Sequence, residues 1–161
     1  MNGSTENRTS GSFESGNGQD VIMTWGAAGR MLPLVRQIVD DILEHQDKLN
    51  RLQPEKERLD RNRRQLSWPE RSRRYRLQEE IAKEDMGIAA NLAELDELGL
   101  TLVEPMQGQV GFPTLVNNRK AFFSWQPGEE GIEFWHFADD IDRRPIPSAW
   151  TKTVETRTRR R

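Results

Sequence analysis

Two apolar runs at helical spacing, divided by one helix-start signal and followed by a switch to period two, constrain this chain more than any other feature. From Val35 the apolar positions step in threes and fours through Ile38, Ile42, Leu49, Leu52, Leu59 and Leu66, with His45, Lys56 and Arg63 on the same seam. Such a stripe belongs to a helix that lays one side against a partner. The three polar seam residues predict pairing that weakens towards its basic end. Thr24 is placed to cap the first turn with its hydroxyl. Pro33 and Pro54 lie inside the pattern, and each removes a backbone donor and crowds the carbonyl four residues earlier. Helix one is therefore expected over 24–66, with kinks or a break near Gln53.

The second run is sharply punctuated. Ser67, Trp68, Pro69 and Glu70 spell a capping box, with the proline in the first turn where its missing N–H costs nothing. Leu77, Ile81, Ile88, Leu92 and Leu95 keep helical spacing, and Gly99 followed by Leu100 suits a left-handed stop. Helix two is expected over 67–98, turning back on helix one near Leu66 to Trp68. Helix one, at 1.5 Å per residue, is longer than helix two by about 18 Å. Its first turns, carrying "GRMLPLV", are expected to overshoot the hairpin and pack on whatever follows.

After Gly99, "LTLVE", "QVGFP", "KAFFSW" and "IEFWHF" read as short strands between turn-forming "PMQG", "TLVNNR" and "QPGEEG". The expected fold is α+β: a long antiparallel, coiled-coil-like helical hairpin, then a three- or four-stranded antiparallel β-meander over 100–137 and a loop over 138–147. A loop of Pro127–Glu130 sets Trp125 opposite Ile132, Phe123 opposite Phe134 and His136 opposite Ala121, on one apolar face. A loop one residue longer pairs Trp125 with Glu133 and Phe122 with His136. The shorter loop is the expected one, because it gathers the aromatics.

Composition bounds the rest. Apolar residues make up 34% of the chain and charged residues 31%, low for a fully packed domain. Residues 1–20, rich in Gly, Ser and Asn, read as a disordered tail, and 148–161 as a basic one, leaving a single domain over 21–147. No secretory signal, no apolar run of membrane-spanning length and no cysteine is present, so a cytoplasmic protein without disulfides or thiolate sites is expected. The net charge of −2 hides a segregation: residues 51–76 hold ten basic and four acidic residues, and 77–150 hold five basic and fourteen acidic. A basic strip beside an acidic body is self-complementary before it is a nucleic-acid site.

The chemistry-bearing residues are few. Trp125, Trp135, His136, Asp139, Asp140, Arg143 and Arg144 form a candidate site of imidazole, carboxylate and guanidinium groups that can serve a divalent cation or an acid–base centre. The competing reading has His136 anchoring its strand end, shielded by aromatics and bonded to a carboxylate of Asp139 or Asp140. Two distant histidines and no HExxH spacing argue against a zinc enzyme. Ser124 and Ser148 lie in no nucleophile elbow, and the glycines complete no dinucleotide or phosphate loop. No cofactor is expected. The stretch "RNRRQLSWPERSRRYR" offers Arg71, Arg73, Arg74 and Arg76 for phosphates, with Trp68 and Tyr75 to stack on bases.

"TWGAAGRMLPLVRQIV", the hairpin, "LGLTLVEPMQGQVGFP", "FFSWQPGEEGIEFWH" and "RRPIP" together resemble the bacterial proteins of domain-of-unknown-function family 2203. The resemblance rests on Leu32, Pro33, Gly108, Phe112, Pro113, Trp125, Gly128, Trp135, His136 and Pro145, and departs at Gly111 and in "FADDID". It implies no catalytic residue.

Three functional readings follow. The leading one is a non-enzymatic interaction or structural protein acting through its hairpin, with another protein or a second copy as partner; homodimerisation along Val35, Ile38, Ile42 and Leu49 is the expected form. The second is nucleic-acid association at the arginine tip. The third is a metal-dependent enzyme centred on His136 and the aspartates that follow it.

Overall fold

The computed structural model describes residues 22–152. The tail expected over 1–20, and residues 153–161, lie outside them. Helix α1 spans Trp25–Arg61 and begins where the Thr24 hydroxyl accepts the Ala27 amide at 3.1 Å. A single 3₁₀ turn, Arg63–Gln65, leads to α2, Trp68–Glu97. The expected break near Gln53 does not occur, because α1 runs uninterrupted through both prolines. Pro33 and Pro54 deprive the carbonyls of Gly29 and Asn50 of their helical donors, and all four residues are solvent-exposed. Neither carbonyl is stranded in an apolar interior, so each interruption costs less than it would on the packed side.

The capping box forms as spelled: Ser67 Oγ accepts the Glu70 amide, and the Glu70 carboxylate accepts the Ser67 amide. Helix α2 ends in a Schellman motif. Gly99, at φ 77°, donates to Asp96 O, and Leu100 donates to Leu95 O, with both leucines buried together in the core.

Five strands then form an antiparallel meander in chain order: β1 Thr101–Glu104, β2 Gln109–Val116, β3 Arg119–Trp125, β4 Phe134–Phe137 and β5 Arg144–Pro145. β5 adds a strand within the expected loop over 138–147. Asn117 and Asn118, at φ 52° and 61°, make the two-residue β2–β3 turn, whose mirror-image geometry matches strand twist. Val110, Phe112, Ala121, Phe123, Trp125 and Trp135 line the inner face and bury against Ala28, Leu32, Val35, Ile38, Val39 and Ile42 of α1. The overshooting start of α1 thus packs on the sheet. Leu59, Leu66 and Leu77 form a separate small core that closes the hairpin tip.

Two corrections follow. Ser148–Lys152 is a short helix, α3, whose Trp150 packs on Trp135 and Phe123 at ring-centroid distances of 5.3 and 6.4 Å, so the expected basic tail starts as a piece of the core. The stripe Val35, Ile38, Ile42 and Leu49 is buried within the chain and has no surface to offer a second copy.

Candidate functional site

The β3–β4 register is the longer-loop alternative: Phe122 lies opposite His136, Phe123 opposite Trp135 and Ser124 opposite Phe134. The cause is tertiary. Trp25 Nε1 donates to Ile132 O at 2.8 Å, Arg36 donates to the carbonyls of Glu129 and Glu130, and Trp125 Nε1 donates to Glu129 O at 3.0 Å. These donors hold the carbonyls of Glu129, Glu130 and Ile132 against α1 and Trp125, outside the strand ladder. Trp125 stays on the inner face, Trp135 joins it there, and Phe134 and His136 move to the outer one.

His136 is nevertheless only 2% exposed. The loop after β4 brings Asp140 O to 2.8 Å from Nδ1, and Phe137 O lies at the same distance. With two carbonyls against it, Nδ1 is a donor, and Nε2 is buried with no hydrogen-bond partner among the described residues. The expected carboxylate partner is replaced by a backbone carbonyl. The carboxylates look elsewhere: Asp139 pairs with Arg119, and Asp140 Oδ1 accepts the Asp142 amide while Oδ2 lies 3.5 Å from Arg144. Among the described residues no three His, Cys, Asp or Glu side chains converge as a metal site would need.

Beside His136 the outer face holds a polar knot that sequence reasoning missed. Arg143 Nε and Gln109 Nε2 both donate to Ser124 Oγ, at 2.9 and 3.0 Å, and Arg143 Nη2 also reaches Glu129 Oε1 at 2.6 Å. Arg143 lies over the Phe134 ring at 4.5 Å. Ser124 is fully buried with its oxygen already taken by two donors, which suits an anchor and not a nucleophile. Only the charges of Arg143 and Glu129 were visible beforehand, and nothing in their spacing announced that they meet. Arg144 faces the other way, over Trp135 and Phe137. The seven candidate residues are thus split between the two faces of the sheet.

The four candidate phosphate-binding arginines divide as well. Arg73 forks onto both oxygens of Glu55 at 2.9 Å, and Arg74 reaches Asp60 at 2.6 Å. Arg71 and Arg76 are exposed, as are Arg61, Arg63 and Arg64 around the turn. The Arg73 fork holds the Glu55 carboxyl below its ordinary range, and Lys56 followed by Arg74 does the same for Asp60. Further along the seam, His45 bonds Glu84 across the hairpin and lowers that carboxyl too. The His45 ring fits because Gly87 stands where any Cβ would come within 2.6 Å of it.

Three of the large exposed apolar residues sit on α2, while Met106 and Ile141 are exposed in loops of the sheet. Trp68 is 77% exposed, Tyr75 63% and Met86 74%. At 100° per residue these three project within about 20° of one direction, together with Ala82 and Ala93, opposite the buried Leu77 and Leu95. Exposed Glu79 and Glu97 project in the same direction, so the outward side of α2 mixes large apolar groups with carboxylates. The repeat from Trp68 to Tyr75 to Ala82 was available in the sequence, but the buried stripe masked it.

Comparisons with curated proteins and with solved structures find no match. The family described as "Uncharacterized conserved protein (DUF2203)" matches residues 22–146, which span both helices and all five strands. On that match, the chain belongs to the DUF2203 family.

Proposed function

We propose that this protein is a non-enzymatic interaction protein that engages its partner through the helical hairpin. One observation carries this reading: α2 keeps Trp68, Tyr75 and Met86 in water on the side opposite its intramolecular contact. Large exposed groups aligned on one helix face, with Glu79 beside them, supply spaced anchors of the kind a helix-binding groove takes. The polar knot at Ser124, by contrast, is saturated with internal hydrogen bonds and serves to hold the sheet. A photo-crosslinking side chain placed at Tyr75 or Met86 in cells tests the reading, with Gln37 on α1 as an exposed control. Adducts specific to the α2 positions are expected, and none at either position would refute it.

A second reading has its own support. Arg63, Arg64, Arg71 and Arg76 crowd the tip without ion-pair partners among the described residues, beside exposed Trp68 and Tyr75. Guanidiniums and exposed aromatics are what an unpaired nucleic-acid strand offers its phosphates and bases to. Titration with single-stranded RNA at several salt concentrations tests it. Arg71→Gln with Arg76→Gln should weaken binding and flatten its salt dependence, while binding unchanged, or none in the parent, ends the reading.

A further inference from the structure

We propose that the basic segment 153–161 of this chain docks in the acidic hollow between α1 and the β3–β4 loop. The inference is independent of both hairpin readings.

The hollow, of about 340 Å³, lies between Arg36 and Asp40 of α1 and Gly128, Glu129 and Glu130 of the loop, and Trp125 also lines it. Arg36 is held by the carbonyls of Glu129 and Glu130 and lies 5.9 Å from the Trp125 ring centre. Among the described residues no ion pair joins it to Asp40, one turn further along α1, and Glu130 has no ion-pair partner either; both carboxylates are exposed. Glu129 gives one carboxylate oxygen to Arg143, while its other oxygen is buried with no hydrogen-bond partner among the described residues. The hollow thus carries more negative than positive charge, and its carboxylates are short of donors. A guanidinium, which can fork onto a carboxylate, supplies both.

The chain offers such groups beside the site. After β5 the Ile146 amide donates to Glu133 O, at the end of the sheet that bears the β3–β4 loop. α3 then sets Trp150 against Phe123, and Trp125 is two residues further along the same strand, about 7 Å away. Residues 153–161 follow α3 directly and hold four arginines and one glutamate. Nine residues span up to about 30 Å when extended, more than the path from α3 to the hollow requires. Tethering selects this occupant over others. A few exposed charge pairs bind a free basic peptide weakly, but a short linker presents its own arginines at an effective concentration of about millimolar.

Paramagnetic NMR on the full chain tests the proposal. The sequence has no cysteine, so Thr158→Cys carries a single nitroxide label. The amide signals of Asp40 and of Gly128 to Glu130 should lose at least half their intensity, while those of Arg63 and Arg64 at the hairpin tip keep theirs. Asp40→Asn with Glu130→Gln, both at exposed positions, should restore the lost signal. Arg157→Gln with Arg159→Gln and Arg160→Gln should restore it too, as should about 1 M salt, where the screening length falls to about 3 Å. No loss at the hollow would overturn the proposal. A loss that survives the neutral variants and the salt would also overturn it, because it reports nearness without charge pairing. Mixing nitroxide-bearing chains with isotope-labelled chains that lack the nitroxide identifies the source of the segment. A loss in the mixture equal to that in the single chain would place another copy's segment in the hollow and overturn the tethered arrangement.

Discussion

Gly108 ties the β1–β2 turn to α1, and Gly108→Ala should lower stability by about 2 to 4 kcal/mol. Two effects add. The residue stands at φ 69°, where a side chain strains the backbone by about 1 to 2 kcal/mol. Its Cβ would also lie 2.7 Å from Val39 Cγ1 and 3.3 Å from Leu43 Cδ1, and Val39 is fully buried and unable to swing aside. Forcing a single methyl into such a space costs about 1 to 2 kcal/mol, in the lower part of the overpacking range. Urea unfolding followed by tryptophan fluorescence measures the sum; at a slope of about 2 kcal/mol/M the midpoint should fall by about 1 to 2 M. A double-mutant cycle separates the parts. Val39→Ala alone should cost about 2 kcal/mol for its two lost methyl groups and the space they leave. In that background Gly108→Ala should retain only its backbone cost, a coupling of about 1 to 2 kcal/mol. Equal costs in both backgrounds, or a cost below about 0.5 kcal/mol in the parent, would refute the packing of this turn on α1.

Arg143→Met should destabilise by at least about 2 kcal/mol by leaving the Glu129 carboxylate without its ion-pair partner, while Ser124 keeps Gln109 as donor, and Glu129→Gln in the same chain should recover part of the lost melting temperature. His136→Ala should cost about 1 to 3 kcal/mol, since the Asp140 carbonyl loses its donor under the loop; a variant melting like the parent would contradict the structural role. The hairpin should also be acid-sensitive. Glu55, Asp60 and Glu84 all titrate below their ordinary values in the folded chain, so the unfolded chain takes up protons first as pH falls. Their contribution is complete above the ordinary carboxylate range and is lost as pH falls through it to the depressed folded values. Thermal melts from pH 6 down to about 2.5 should show the midpoint falling below about pH 4.5, with a smaller fall in Glu84→Gln.

The capping box at Ser67 and the stop at Gly99 were legible because each is a bond among residues within a few positions of one another. The same holds for Thr24 and for the Asn117–Asn118 turn. Where the reading of the sequence went astray, the deciding partner was remote. Kinks or a break were expected at Pro54, and α1 does not break there, because the carbonyl it deprives lies on the solvent side of a helix already held by α2. Ser148 to Lys152 looked like a tail because the basic run that follows offers little to bury; the partners that make it part of the core, Trp135 and Phe123, are remote in sequence.

By itself the sequence determined two helices, their turn, their approximate ends and the change to strands, since hydrophobic period, caps and turn residues act over one to four positions. Tertiary structure alone decided on which face of the sheet His136 lies. Moving the pairing by one residue exchanges the two faces of a strand, and the choice was made by Trp25 and Arg36, about a hundred residues upstream, bonding the carbonyls of Glu129, Glu130 and Ile132. The same register sets Phe134 on the outer face, under the guanidinium of Arg143. Contacts between distant segments depend on how whole elements dock, and no local spacing encodes them.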